Sequence, residues 1–170
     1  MSAVLDQLKR GHQLQQQGDI SAAEKIYRGV LQQDSKNLHG LNLLGTICVN
    51  SNRFVEAVKL IESALNIEPN NPQSLVNYAL ALKGVGRLDD SMRAARQSLK
   101  LNPNNPLALN VVGCLLVDTN NSVDAENYFK KAVELHGGYF DAWCNLSSAF
   151  NANGNFPSAI KAAEQALKIN

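Results

Sequence analysis

Asn42, Asn77, Asn110 and Asn145 recur at intervals close to 34 residues, and no other set of side chains in this sequence repeats with as clear a chemistry. A carboxamide carries two N–H donors and one acceptor oxygen. Several in series match the alternating C=O and N–H groups of an extended main chain. Contacts of that kind read backbone and tolerate many sequences. Asparagine is also a poor helix former at exposed mid-helix sites, so one that stands there usually makes a polar contact. The remaining reactive residues are scattered. His12, His39 and His136 have no acid and nucleophile set at a common spacing. Two imidazoles could share a metal at His12 and His39, but surface histidines read first as plain polar side chains. Cys48, Cys114 and Cys144 are odd in number and never form a C-x-x-C pair, so they read as reduced, small buried residues. Nothing basic flanks Cys114 or Cys144 to lower a thiol pKa. No glycine-rich phosphate loop follows a strand pattern. The chain alone is expected to be no enzyme, with no catalytic residues, no cofactor and no metal.

The elements that must position these amides follow from the same period. Gly11, Gly45, Ala79, Gly113 and Ser147 stand 34 residues apart, and Ala23, Ala57, Ser91, Ala125 and Ala159 form a second column of small residues. A period of this length marks an array of stacked supersecondary units. Five copies run 4–37, 38–71, 72–105, 106–139 and 140–170, as a single array over 1–170. Within the third copy, Leu75, Tyr78 and Leu82, then Leu88, Ala95 and Leu99, keep the three- and four-residue steps of amphipathic helices. Between the two runs of each copy lie Gly18-Asp19, Asn52-Arg53, Gly86-Arg87, Asn120-Asn121 and Gly154-Asn155, residues that accept the left-handed backbone at a helix end. Between copies, Asn71-Pro72 and Asn105-Pro106 join a helix-capping amide to a proline at the first helical position, and His136-Gly137-Gly138 replaces that signal before the fifth copy. The spacing predicts an all-α chain of ten antiparallel helices with loops of two to four residues. Large residues such as Leu41, Leu44, Leu65, Trp143, Leu146, Phe150 and Leu167 are expected to fill the space around the small columns.

Composition excludes several partners. Net charge is +1 and aromatics make up 6% of the chain, which leaves neither a basic surface for nucleic acid or acidic lipid nor a base-stacking platform. The first eleven residues carry Asp6, Lys9 and Arg10 and no long apolar run, so neither a signal peptide nor a membrane span is expected, and the location expected is cytoplasmic.

The small, large and proline columns resemble those of the tetratricopeptide repeat, and the resemblance extends from Val4 to Asn170. Ser91 and Ser98 depart from the usual alanine, Ser147 from the usual glycine or alanine, and Gln7 and Arg10 make the first copy polar, as suits a terminal repeat. The family implies a right-handed α-solenoid whose concave groove is lined by the first helix of each copy. Carried onto this chain, that lining includes Leu8, His39, Asn42, Thr46, Val49, Gln73, Val76, Asn77, Leu80, Lys83, Asn110, Val111, Cys114, Asn145 and Ser148. The four asparagines are then expected to face solvent. They form a partial ladder similar to that of the tetratricopeptide region of O-linked N-acetylglucosamine transferases, with Asn77 and Asn145 at that family's own position and Leu43 and Val111 between them. Co-chaperones of this family hold a terminal carboxylate with lysine and arginine. The matching places here are Leu8, His12, Leu43, Gln73 and Asn77, or Asn42, Thr46, Asn77, Leu107 and Val111, and neither set supplies the cations.

The resemblance therefore implies a scaffold that binds a protein or peptide partner in a neutral, asparagine-lined groove. Two alternatives stand beside it: a substrate-recruiting module of a larger enzyme such as a glycosyltransferase, and self-association through an open C-terminal helix bearing Ile160, Ala163 and Leu167. Neither nucleic acid nor membrane is an expected partner.

Overall fold

The computed structural model describes residues 2–170, and those residues form ten α-helices without a strand among them. They are α1 (Ser2–Gln16), α2 (Ile20–Gln33), α3 (Leu38–Asn50), α4 (Phe54–Ile67), α5 (Pro72–Gly84), α6 (Leu88–Leu101), α7 (Pro106–Asp118), α8 (Ser122–Leu135), α9 (Phe140–Ala152) and α10 (Phe156–Ile169). Two compact bodies result, one holding α1 to α5 and ending at Arg87, the other running from Leu88 and holding α6 to α10. Within each body every helix packs on the next in sequence. The first helices of successive copies also touch, α3 on α5 and α7 on α9.

Local signals set the helix ends. All five turns inside the copies contain a residue of positive φ, at Gly18, Asn52, Gly86, Asn120 and Gly154. Asparagine tolerates that region and glycine enters it freely, which is why the breakers are of these two types. Between copies, the Asn71 Oδ1 accepts from the Ser74 N–H, and the Asn105 Oδ1 accepts from the N–H groups of Leu107 and Ala108. Tyr139 occupies the equivalent place before α9 and makes no side-chain cap. There the loop is tied instead by Trp143, whose Nε1 donates to the Gly137 carbonyl at 2.8 Å.

Packing centres on the small column. A Cβ on Gly11 would lie 2.5 Å from the Tyr27 ring, one on Gly45 2.6 Å from Ile61, and one on Gly113 2.4 Å from Phe129. Each glycine thus lets the paired helix press a large side chain onto bare backbone. Tyr27, Ile61 and Phe129 are all buried, and complete burial of such a side chain contributes about 1.5–3 kcal/mol. Ser147 fills the same place in the last copy and donates its Oγ–H to the Ala159 carbonyl. One expected core residue departs from this scheme. Leu167 is 76% exposed, with Ile160 and Phe156 at 60% beside it on α10. The equivalent face of α4 is covered by α5, whose Gly84 lies against the Phe54 ring, and the described residues supply α10 with no such cover.

A four-residue ion network also ties the first two copies. Glu24 on α2 accepts from both terminal nitrogens of Arg53 at 2.7 Å and from Arg28 at 2.7 Å, while Glu56 on α4 accepts from Arg28 at 2.6 Å. The hydrogen bonds from Arg53, opposed by burial and helped by Arg28, hold the Glu24 carboxyl down at about 2 against its ordinary 4.5. A folded-state pKa below the unfolded one stabilises the fold above the unfolded value, and that stability is lost as pH falls through the folded value. Because the Arg28 and Arg53 side chains are 42% and 35% exposed, solvent screens the pairing, and the contribution at neutral pH is about 2 kcal/mol. The stability gap between the native chain and Glu24→Gln, read from urea melts, is expected to shrink by more than half between pH 6 and pH 3. A gap that stays constant over that range would show that the carboxylate charge contributes nothing.

Candidate functional site

The four asparagines sit in two clusters, one in each body. In the first, α3 and α5 are joined by side chains. Ser74 donates its hydroxyl to the Asn42 Oδ1 at 2.7 Å, and the Asn77 Nδ2 donates to the Thr46 Oγ1 at 2.8 Å. Gln73 donates to the Asn77 Oδ1 at 3.3 Å, and Thr46 in turn donates to the main-chain oxygen of Asn42. In the second, the Asn145 Nδ2 on α9 donates to the Asn110 Oδ1 on α7 at 3.0 Å and to the Cys114 Sγ at 3.3 Å. The Asn110 Nδ2 donates to the Tyr139 hydroxyl at 3.3 Å. Repetition at about 34 residues brings matching amides onto adjacent first helices, where they bond across the copy boundary.

This arrangement corrects the expectation of four solvent-facing amides. Asn77 is 7% and Asn110 8% exposed, because each lies between two helices and is bonded on both its oxygen and its nitrogen. Asn42 and Asn145 are half-buried. Among the described residues, the side-chain bond of Asn42 uses its Oδ1 and those of Asn145 use its Nδ2, which leaves the Asn42 Nδ2 and the Asn145 Oδ1 without a side-chain partner. Leu8, Val49, Val76 and Val111, carried over as lining, are also buried beneath the surface. Among the other expected residues, His39, Gln73 and Ser148 are exposed, while Thr46, Leu80, Lys83 and Cys114 are half-buried. Ser148 turns its hydroxyl to the Cys144 carbonyl on its own helix. His39 joins neither cluster.

Tyr139 belongs to the second cluster and was not among the residues singled out in the sequence. Its signal was a departure: it occupies the place where Asn71 and Asn105 cap the following helix. Burial, with the Asp141 charge adding to it, pushes its phenol up to about 12, and the Asn110 N–H pulls modestly the other way.

All three cysteines are outside any disulfide, Cys48 buried and the other two half-buried, so the expectation of buried thiols holds for Cys48 alone. Burial, with Glu56 next in effect, pushes the Cys48 thiol up to about 11. Among the described residues no group of three or more His, Cys, Asp or Glu is gathered to hold a metal, and no helix is long and apolar enough to cross a membrane. A cleft of about 470 Å³ lies between α8 and α10 over Trp143, Leu146 and Phe150, and none of the amide residues lines it.

Comparison with known proteins decides the family. Three tetratricopeptide-repeat family models match in tandem, over residues 14–75, 72–105 and 111–170. The chain is a tetratricopeptide-repeat protein. It is 26% identical to the Caenorhabditis elegans tetratricopeptide repeat-containing protein trd-1 over 155 residues, covering 91% of this chain and 19% of that protein. It is 22% identical to the probable UDP-N-acetylglucosamine–peptide N-acetylglucosaminyltransferase SPINDLY of Hordeum vulgare, covering 95% of this chain and 18% of that protein. The tetratricopeptide chain thus spans under a fifth of either relative. Among solved structures, PilF of Pseudomonas aeruginosa superposes with a TM-score of 0.83 at 16% identity, covering 99% of this chain and 77% of that one. YrrB, described as a tetratricopeptide-repeat protein with an unusual peptide-binding site, superposes with a TM-score of 0.68 at 20% identity, covering 96% of this chain and 84% of that one. The solved structures show the all-α tetratricopeptide fold, and the repeat that the family models match is a protein-interaction module.

Proposed function

We propose that this chain binds an extended peptide through the amide-bearing faces of its first helices, with main-chain groups of the ligand as the principal contacts. One observation carries the reading. Each cluster closes its buried valences internally, with no buried side-chain N or O left unpaired among the described residues, yet leaves a half-buried asparagine with one amide atom open. Within the first body the Asn42 Nδ2 offers a donor, and within the second the Asn145 Oδ1 offers an acceptor; each by itself matches a group that a peptide main chain presents. His39, Gln73 and Ser148 supply exposed polar contacts nearby in the sequence, and the apolar part of Leu80 supports them.

The test uses peptides recovered from a random dodecapeptide display library on the 170-residue chain, with affinity read by fluorescence anisotropy. Asn42→Ala combined with Asn145→Ala, which opens the cluster of whichever body holds the peptide, is expected to weaken binding about 3- to 10-fold, on the order of 1 kcal/mol for one lost hydrogen bond. Affinity unchanged in the double variant would remove the amide faces as the site.

A second reading, a substrate-recruiting module within a larger enzyme, draws support from the likeness to the SPINDLY proteins of Hordeum vulgare and Solanum lycopersicum. The sequence of the complete gene product decides it.

A further inference from the structure

The two amide clusters end differently. In the first, donation runs from Gln73 to Asn77, from Asn77 to Thr46, and from Thr46 to the main-chain oxygen of Asn42, so the last hydroxyl proton is used. In the second, donation runs from Asn145 to Asn110 and from Asn110 to the Tyr139 oxygen, where it stops. The phenolic proton has no acceptor among the described residues. A hydroxyl that already accepts one hydrogen bond is a better donor of the next, since each bond in such a chain polarises its neighbour.

We propose that Tyr139 is a ligand-contacting residue, whose O–H donates to a main-chain carbonyl of the bound peptide while the Asn145 Oδ1 accepts a neighbouring peptide N–H. The inference rests on the peptide-binding reading above and names a residue and a bonding pattern that the reading lacks. Three further observations support it. The charge of Asp141 acts on Tyr139, with a smaller effect of the same sign from Cys114, and the amide bonded to it, Asn110, is neutral; a carboxylate would add a further negative charge there, so the acceptor is a neutral carbonyl. The raised phenol stays protonated through the physiological range and remains a donor there. Finally, Asn71 and Asn105 cap their helices from the equivalent place, whereas Tyr139 leaves α9 uncapped and turns its side chain to Asn110. A cap is normally stabilising, so a tyrosine at this place forgoes local stability while presenting a hydroxyl.

Tyr139→Phe retains the ring and its edge contact with His136 and removes only the hydroxyl. With a library-selected dodecapeptide as probe, the variant is expected to bind about 5- to 20-fold more weakly, the loss of one hydrogen bond from a polarised donor. The same peptide with single carbonyls reduced to methylene should locate the partner. At one position the reduction weakens binding to the native chain and leaves binding to Tyr139→Phe unchanged. The 13Cζ resonance of Tyr139 in the native chain is expected to shift on titration with the peptide, a readout that needs no folded variant. Native affinity in Tyr139→Phe, or an unmoved 13Cζ signal, overturns the role of Tyr139, and if Asn42→Ala with Asn145→Ala still weakens binding, the peptide-binding reading survives it. Recovery of no binding peptide at all overturns both.

Discussion

Leucine in place of Ala125 is expected to destabilise the second body by about 1–3 kcal/mol or more, since the added atoms have no space to enter. Ala125 is fully buried on α8, one turn from Phe129, whose ring already presses onto the bare backbone of Gly113. The ring is itself 1% exposed, so it has no direction in which to yield. Ala57→Leu should act in the same way in the first body, where Gly45 receives Ile61. The distribution of the damage is the sharper test. A repeat contacts its neighbours and little else, so stability is a sum of local terms. Hydrogen exchange of Ala125→Leu should show faster opening in α7, α8 and α9 and native protection in α1 and α2. Protection lost evenly over all ten helices would argue against that local organisation.

The elements were legible because their signals are local and repeated. A positive φ at Gly18 and Asn52, a capping oxygen on Asn71 and Asn105, and a proline at the first helical position each follow from a residue and its immediate neighbours. The small column was equally legible, since Gly45 and Gly113 need only a large side chain on the paired helix of the same copy. What could not be read was which way a half-exposed polar side chain settles. Periodicity places Asn77 and Asn110 on the first helix of their copies. Their burial, however, depends on which residue type stands at a column that the period leaves variable: Thr46 for one, where other copies have Leu80, Cys114 and Ser148, and Tyr139 from an irregular loop for the other. The bond from Arg53 to Glu24 likewise joins residues of different types at a spacing that no column repeats. Leu167 shows the converse. Its column predicts burial, but the cover for that column comes from the next copy, and its own copy is the last of the five.

Replacing Asn77 and Asn110 together with alanine is accordingly expected to destabilise the fold, where solvent-facing amides would have left it unchanged. Each substitution removes a buried group bonded at both ends. Thr46 and Gln73 lose their partner in the first body, and Tyr139 and Asn145 lose theirs in the second. Leaving such partners unpaired costs about 1–3 kcal/mol per site. The two sites share no hydrogen-bond partner, so their effects should be close to additive, on the order of 2–6 kcal/mol together. Asn42→Ala provides the comparison. Asn42 is half-buried and gives up a single side-chain bond, leaving only the buried Ser74 hydroxyl without its acceptor, so its loss of stability should stay below that of Asn77→Ala, which strands two partners. Urea midpoints of the single and double variants measure these differences directly. Binding should then be compared under conditions where every variant remains folded, because the double variant would otherwise lose its ligand by unfolding. If the Asn77 and Asn110 variants melt with the native chain, the amides do not hold adjacent first helices together, and their place is in the ligand contact alone.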